Sequence, residues 1–339
     1  MKTFASLVIA FTFAGIGGAH PFSGLFKRQT LLDLNDVDII NYALTLEHLE
    51  AAFYRQAVAN FTASDFVGAG YNETAYHNVQ QIAADEAEHV DFLTSVLTCP
   101  INTFYCGSTC AYLRPALKLR THSAKSVGQP APAECSYDFG VASVPAFIAT
   151  AALLEGVGVS AYLGAAAQIA NKAYLTPAGS ILAVEARHSS YLRSLLDEVP
   201  FAQPFDTPLT PDEVFTLGHG FITSCPSSNP PLKVKAFPGL TIDPSSPGPS
   251  ATGSQITIDT AGYALEPRSP GAHLYAAFIS VNGPVWTDVT ELPDSDGTKF
   301  NVTIPQGVSG QSYLVLTGCH DAVTDDTVVA GPVIIEVLG

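Results

Sequence analysis

Two short stretches of the sequence carry the same pair of metal-binding residue types at the same spacing. ADEAEHV contains Glu86 and His89, and AVEARHS contains Glu185 and His188. Positions three apart lie on the same side of an α-helix, so each stretch can offer one carboxylate and one imidazole to a common point. The pattern is typical of a metal site, although two solvated helix faces could also contain these residues.

The segments that precede these pairs repeat as well. ALTLEHLEAAFY aligns without a gap on AALLEGVGVSAY, which places Glu47 on Glu155 and Tyr54 on Tyr162. The chain therefore contains a two-helix unit twice, and each unit carries Glu-x6-Tyr followed by Glu-x-x-His. Glu50, one turn from Glu47, is an alternative ligand on the first helix, but the alignment with Glu155 favours Glu47.

Two such units supply the ligand set of carboxylate-bridged di-iron and di-manganese centres in four-helix bundles. Four carboxylates facing one apolar interior would be destabilised by desolvation and by mutual repulsion, and two divalent cations would neutralise all four. Carboxylate oxygens together with imidazole suit iron or manganese. We therefore predict a site for two Fe or two Mn ions with the ligands Glu47, Glu86, His89, Glu155, Glu185 and His188. Tyr54 and Tyr162 either donate hydrogen bonds to these ligands or serve as packing residues.

Helical periodicity places these residues on long helices. The apolar spacing predicts helices over residues 36–60, 74–97, 145–171 and 177–197, and a short helix over 211–222. Proline begins the last three of these helices, where a missing N–H is tolerated. Roughly 45 residues separate the second and third helices, which is long for a plain connection. That length lets the chain cross the whole bundle, as it must if those two helices are parallel.

The composition changes after the helical part. PSSNPP, residues 226–231, has the composition of a linker. Beyond it, short strand-like runs alternate with turn-rich segments, which predicts a β-sandwich, with an immunoglobulin-like topology as the candidate arrangement. The predicted domains are a helical bundle with a cysteine-bearing crossover over 29–225, the linker, and a β-sandwich over 232–339.

The first residues predict secretion. Residues 1–19 have the basic start, short apolar run and small cleavage-site residues of a signal peptide, and Lys27-Arg28 would end a propeptide over 20–28. Removing residues 1–28 leaves 12 basic and 31 acidic side chains, a formal charge of −19. This charge argues against binding to nucleic acid or to an anionic membrane, and no later segment has the unbroken apolar length of a membrane span.

Cysteines and glycosylation motifs fit an extracellular route. An even number of cysteines in a secreted chain favours disulfides, with the pairing left open. The candidates are Cys99, Cys106, Cys110, Cys135, Cys225 and Cys319. Sequons at Asn60, Asn72 and Asn301 predict surface glycosylation.

At its predicted ligands the sequence resembles the ferritin-like superfamily, which includes ferritins, rubrerythrins and manganese catalases. The phrases DIINYALTLEHLEAAFY, LLEGVGVSAYLGAA and FDTPLTPDEVFTLGHGFI resemble, more closely, secreted fungal ferritin-like proteins. That group is described as stress-response or late sexual development proteins and is related to desiccation-related proteins. The resemblance covers residues 33–225. It implies a ferritin-like four-helix bundle with a long crossover, followed by an immunoglobulin-like β-sandwich, and it implies a metal pocket without an established reaction.

Different classes of function fit these features. The first is redox chemistry on O2 or peroxide, as a ferroxidase, peroxidase or catalase-like enzyme. The second is a structural or cell-wall-associated protein in which the bundle is only a scaffold. A third is a binding module whose β domain recognises wall glycan. The expected partners are metal ions and, through the β domain, cell-wall components; the metal, the substrate and the oligomeric state stay open.

Overall fold

The computed structural model describes residues 20–21, 34–98, 129–246, 248–266 and 273–338. Nearly all of the predicted signal peptide and propeptide, and Cys99, Cys106 and Cys110, lie outside these residues. The helices are α1 (Asp36–Asn60), α2 (Ala63–Gly68), α3 (Glu73–Thr98), α4 (Val144–Ala166), α5 (Lys172–Leu195) and α6 (Pro211–Gly218), with a 3-10 turn at His219–Phe221. The strands are β1 (His20–Pro21), β2 (Ser136–Tyr137), β3 (Ile222–Ser224), β4 (Thr241–Ile242), β5 (Gln255–Asp259), β6 (Leu265–Glu266), β7 (Tyr275–Phe278), β8 (Val285–Thr287), β9 (Val289–Glu291), β10 (Lys299–Thr303), β11 (Gly310–Thr317) and β12 (Val328–Val337).

Four long helices, α1, α3, α4 and α5, form a bundle. The helix α1 packs on α3 and α4 packs on α5, so each predicted two-helix unit is a hairpin. Early residues of α1, Ile40 and Leu44, share an apolar cluster with late residues of α3, Leu93 and Leu97. These two helices are therefore antiparallel.

Contacts between the two hairpins explain the long crossover. Tyr54 in the last third of α1 contacts Glu155 at the middle of α4, while Glu47, seven residues earlier in α1, contacts Tyr162, seven residues further along α4. This reversed order makes α1 and α4 antiparallel. Because α3 and α4 both run opposite to α1, they are parallel to each other. The connection between them must then cross the full bundle, as predicted.

The connection between α4 and α5 departs from the prediction. The helix α4 ends at Ala166 rather than at residue 171, and α5 begins at Lys172, so Pro177 lies inside it. Hydrogen bonding sets this boundary: Asn171 caps α5, and the Asp36 carboxylate accepts hydrogen bonds from the backbone N–H of Asn171 (3.0 Å) and of the residue before it (2.8 Å). The preference of proline for helix starts, on which the predicted boundary was based, could not reveal these hydrogen bonds.

The helix α4 is apolar on nearly all sides. By length and composition alone it could cross a membrane, but 72% of its most apolar window is buried inside the protein. It also carries the fully buried Glu155. A helix that is apolar all round is expected in the centre of a fold, and α4 occupies that place between the other bundle helices and the C-terminal sheets.

The C-terminal region is a β-sandwich. One antiparallel sheet has the strand order β4-β5-β10-β9 and the other has β12-β11-β7-β8. A shared apolar core joins them, with Ile258 and Val302 from the first sheet and Leu314 and Ile335 from the second. This is the A-B-E-D and G-F-C-C′ arrangement of immunoglobulin-like domains, so the predicted fold class is confirmed.

One disulfide lies within the described residues. Cys135 immediately precedes β2 and Cys225 immediately follows β3, so their disulfide closes one end of the antiparallel β2–β3 ribbon. This bond ties the end of the crossover to the end of the helical part. Cys319 is half-buried and forms no disulfide with any cysteine in the described part of the chain.

The predicted glycosylation sites differ in accessibility. Asn60 and Asn72 are exposed at the ends of the α1–α3 hairpin. Asn301 is half-buried on β10, and its Oδ1 accepts a hydrogen bond from Thr257 (2.9 Å). Glycosylation at all three sites stays a prediction.

A buried ion pair joins the bundle to the sandwich. Arg193, in the last turn of α5, donates two hydrogen bonds to the Glu336 carboxylate of β12, at 2.9 and 2.7 Å. Its Nε donates to the carbonyl of Val199 (3.0 Å), and Glu198 lies 3.2 Å from the guanidinium. The Arg193 side chain is only 8% exposed, so its partners depend on it for neutralisation.

We predict that Arg193→Met lowers the free energy of unfolding by about 3 kcal/mol, because it leaves the partly buried carboxylates of Glu198 and Glu336 without their counter-charge. Urea unfolding measures this when it is followed by helical circular dichroism and by fluorescence of Trp286, the single tryptophan, which lies in the sandwich. The control is Arg55→Met, which removes an exposed pair with Glu134 and should cost less than about 1 kcal/mol. Equal losses in the two variants would contradict the prediction.

Candidate metal centre

The six predicted ligands come together at mid-height in the bundle. Each of the four long helices contributes: Glu47 from α1, Glu86 and His89 from α3, Glu155 from α4, and Glu185 and His188 from α5. All four glutamates are fully buried, and the two histidines are 9% and 7% exposed. The solvated-face alternative is therefore wrong for these residues.

Three carboxylates surround the first histidine. The Nδ1 atom of His89 lies 3.3 Å from Oε2 of Glu47, 3.2 Å from Oε2 of Glu86 and 3.2 Å from Oε1 of Glu185. Glu47 and Glu86 belong to the same hairpin as His89, whereas Glu185 comes from the other. The donor atoms of these four residues all lie within 4.8 Å of one another.

The second histidine has a corresponding environment. The Nδ1 atom of His188 lies 3.0 Å from Oε1 of Glu86 and 3.3 Å from Oε2 of Glu155. A second group, with donor atoms again within 4.8 Å, consists of Glu86, Glu155, Glu185 and His188. Glu86 and Glu185 belong to both groups, so the arrangement is that of two adjacent ion sites with two shared carboxylates.

The two predicted tyrosines contact the ligand of the opposite hairpin. The Tyr162 hydroxyl donates to Oε1 of Glu47 (2.5 Å), and the Tyr54 hydroxyl donates to Oε1 of Glu155. Each bond occupies one oxygen of a glutamate and leaves the second oxygen facing the cluster. The tyrosines therefore orient these carboxylates in addition to packing beside them.

Several buried polar atoms in the cluster lack a hydrogen bond from any described residue. They are Oε2 of Glu47, Oε1 of Glu86, Oε2 of Glu155, both carboxylate oxygens of Glu185 and Nδ1 of His188. Unpaired buried polar atoms are costly, and six of the eleven such side-chain atoms in the described residues belong to five of the six predicted ligands. Divalent cations would satisfy these atoms and cancel the charge, so the residues fit a dinuclear metal site.

Burial and ion pairing shift the titration of the metal-free cluster. Burial raises the pKa of Glu47 to about 7 despite the nearby imidazole of His89. Burial would also raise the pKa of Glu86, but the adjacent imidazoles of His188 and His89 outweigh it and lower that pKa to about 2. The burial of each histidine is likewise outweighed by its carboxylate neighbours, which raise both histidine pKa values to about 10.

A fifth carboxylate lies beside the cluster. Glu50 is 5% exposed, and its pKa is raised well above the ordinary value by burial and by the charges of Glu47, Glu86 and Glu155. The repeat places Gly158 opposite Glu50, and a Cβ at Gly158 would lie only 2.8 Å from Oε1 of Glu50. Gly158 in the second hairpin thus leaves space for Glu50, an additional acid from the first hairpin. The sequence alignment treated Glu50 only as an alternative ligand.

Asp85 is a functional candidate that the sequence analysis missed. Its Oδ2 lies 3.2 Å from Nε2 of His188, on the side of the imidazole ring away from the cluster. A carboxylate in this position fixes the ring and its tautomer. Asp85 immediately precedes Glu86, but exposed Glu88 and Asp91 nearby made this stretch look like an acidic, solvated surface.

Fold and site together define a carboxylate-rich four-helix bundle protein with a twofold-repeated hairpin. A family model described as a ferritin-like domain matches residues 35–119 and 111–198. The first match contains α1 to α3 and the second contains α4 and α5. The helical part of this chain is therefore a ferritin-like domain, and the resemblance inferred from the sequence is confirmed.

A relative with both regions supports this assignment. Protein rds1 of Schizosaccharomyces pombe (strain 972 / ATCC 24843) is 22% identical over 405 aligned residues, which cover 96% of this chain and 92% of that protein. The similarity thus extends over the bundle and the sandwich.

We predict that the metal-free protein becomes less stable as the pH rises from about 5 to about 10. Folding raises the pKa of both histidines from 6.5 to about 10, so their protonated forms stabilise the folded state. This contribution is fully present below pH 6.5 and is lost as the pH approaches 10. The raised pKa of Glu47 acts in the same direction between pH 4.5 and 7, because the unfolded chain loses that proton first. Thermal unfolding of metal-free protein at a series of pH values measures the trend.

The double variant His89→Gln/His188→Gln is the control for this pH dependence. It should flatten the decline between pH 6.5 and 10, since it removes the groups that titrate there. An unchanged slope would assign the decline to the overall negative charge instead of to the cluster. Added metal should reverse the trend, because its ligands must lose their protons to bind it.

We also predict that Asp85→Asn weakens binding of one of the two ions by about tenfold, because His188 loses the carboxylate that orients it. Titration with Mn²⁺ measures the two affinities separately. Asp91→Asn is the matched control, since Asp91 is exposed on the same helix. Equal affinities in wild type and Asp85→Asn would show that Asp85 does not position the histidine.

Proposed function

We propose that this chain is a secreted ferritin-like protein whose bundle holds two iron or two manganese ions, and that the loaded centre carries out redox chemistry on O2 or peroxide. The observation that supports this most directly is the set of buried donor atoms without hydrogen-bond partners at five of the six ligands. Their charge and their chemical type fit two divalent cations of this class.

Each ligand has a separate role in this proposal. Glu47 and His89 would bind one ion, and Glu155 and His188 the other. Glu86 and Glu185 would bridge the two, since their oxygens belong to both groups. Two ions held by these residues would supply electron transfer to or from an oxygen substrate.

The surrounding residues prepare the site for that chemistry. Tyr54 and Tyr162 hold one oxygen of Glu155 and of Glu47, so the free oxygens keep their direction toward the ions. Asp85 orients His188. Burial and the neighbouring carboxylates raise the pKa of Glu50, which favours the protonated form of this carboxyl beside the centre. The packed bundle shields Tyr54 and Glu50 from bulk water, whereas Asp85 lies at its partly exposed edge.

The cellular part of the proposal is supported by features of the sequence and by one disulfide. The signal-peptide pattern, the sequons and the Cys135–Cys225 disulfide fit an extracellular or cell-wall location. The family resemblance connects such a protein with stress tolerance or development. Binding of cell-wall components through the sandwich stays a prediction.

One observation favours a second candidate function, a non-enzymatic scaffold. Without metal, His89 and His188 can remain protonated and neutralise part of the carboxylate charge, as their raised pKa values indicate. A bundle of this kind could persist without ions and serve only to carry the sandwich. Metal analysis distinguishes the two candidates.

We predict about two Fe or Mn ions per chain after loading without oxygen and removal of excess metal. Glu86→Ala and Glu185→Ala should each lose both ions because they remove a shared carboxylate, whereas Glu47→Ala and Glu155→Ala should retain about one. Elemental analysis of the purified variants measures this, and circular dichroism confirms that the helices are intact.

The matched control is Glu88→Ala, which removes an exposed acid two residues from Glu86 on the same helix. It should keep the metal content of the wild type. A wild-type protein that retains no metal, or a Glu88→Ala variant that loses as much as Glu86→Ala, would favour the scaffold.

A further inference from the structure

An apolar cavity lies at one end of the bundle. Its volume is about 50 Å³, and all four long helices line it. The lining includes Ala43 and Leu46 of α1, Phe92 of α3, Ala165 of α4 and Ala178 of α5. Pockets for organic ligands in proteins measure about 300 Å³ or more, so this cavity suits only a very small molecule.

The cavity adjoins one half of the candidate metal centre. Leu46 is the residue before Glu47, and Phe92 follows His89 by one helical turn. Tyr162 also lines the cavity, and its hydroxyl donates to Glu47. A molecule in the cavity would therefore be next to the ligands Glu47 and His89.

The polar atoms of the lining residues are already occupied or covered. The Asp36 carboxylate accepts backbone hydrogen bonds from Ala170 and Asn171, and the Tyr162 hydroxyl is bonded to Glu47. The Tyr42 hydroxyl is buried without a hydrogen-bond partner among the described residues, and it contributes almost nothing to the surface that lines the cavity. The surface that the cavity presents is thus carbon. Water or hydrogen peroxide would lose hydrogen bonds on entering it, whereas a nonpolar diatomic molecule would lose none.

We infer that this cavity admits dioxygen to the Glu47–His89 half of the centre. The inference rests on the proposed function and deepens it, because it selects dioxygen over peroxide as the molecule that reaches the ions by this route. The size of the cavity, its carbon surface and its contact with Glu47 through Tyr162 all support this choice.

Xenon tests the cavity without any metal, since dry apolar cavities in proteins bind it. Metal-free wild-type protein should show one saturable xenon site by ¹²⁹Xe NMR or in a crystal under xenon pressure. Ala43→Leu places a larger side chain in the cavity and should abolish that site. Ala59→Leu makes the same change at an exposed position on the same helix and should leave it intact. Absence of xenon from the wild-type cavity would overturn the inference.

Kinetics of the iron-loaded protein test the route. Ala43→Leu should slow dioxygen consumption by the ferrous protein by about tenfold, at unchanged metal content and with an unchanged rate toward hydrogen peroxide. Ala178→Leu, which fills the cavity from α5, provides a second variant in case Ala43→Leu folds poorly. An unchanged dioxygen rate in the filled variants, or an equal loss toward both oxidants, would overturn the inference.

The same experiments separate this inference from the proposed function. A wild-type protein that takes up no metal contradicts the proposed function, whatever xenon shows. If the iron-loaded protein consumes dioxygen at the same rate when the cavity is filled, only the inferred route through the cavity is contradicted.

Discussion

The structure depends on the neutralisation of carboxylates that are buried at the centre of an apolar bundle. Glu47, Glu86, Glu155 and Glu185 have no exposure to solvent, and water therefore cannot stabilise their charge. The chain supplies two histidines, two tyrosine hydroxyls and raised carboxyl pKa values, which balance the charge only in part. Acceptor atoms still lack partners after all these contacts are made. The cluster is therefore better explained as a site prepared for cations than as a means of stabilising the bundle, since apolar side chains would have stabilised the bundle at lower cost.

The repeat accounts for the symmetry of the site, and its exceptions make the two halves chemically different. Each tyrosine contacts the glutamate of the opposite hairpin, as an approximate twofold axis requires. The symmetry fails at two places. Asp85 holds the ring of His188, but its counterpart in the repeat is Val184, which has no hydrogen-bonding group to offer His89. Glu50 has Gly158 as its counterpart. The two ions of the proposed centre would consequently differ in charge environment and in access, a condition that suits directed reaction better than simple storage.

Much of this arrangement could be predicted from the sequence because its signals are local. Glu-x-x-His spacing, helical periodicity and the repeat itself need no knowledge of packing, and they identified the helices, the crossover and six residues that the structure brings together. The missed features depend on partners distant in sequence. The start of α5 follows from Asp36, over a hundred residues earlier, and not from Pro177. The pairing of Cys135 with Cys225 needed the β2–β3 ribbon. Asp85 needed the position of His188 across the bundle.

The sandwich is connected to the second hairpin close to its ligands, which bears on whether it is an independent module. The Tyr313 hydroxyl of β11 donates to the carbonyl of Gly156 (2.9 Å), the residue that follows Glu155 in α4. A Cβ at Gly156 would lie 2.3 Å from the end of the Gln311 side chain, so this side chain of β11 fills the space that the glycine leaves on α4. On α5, Arg193 is paired with Glu336 five residues after His188. The ligands of the second half are therefore held by the sandwich as well as by the bundle. A sandwich that served only for attachment would not need contacts at these positions, so its packing is part of what fixes the geometry of the centre.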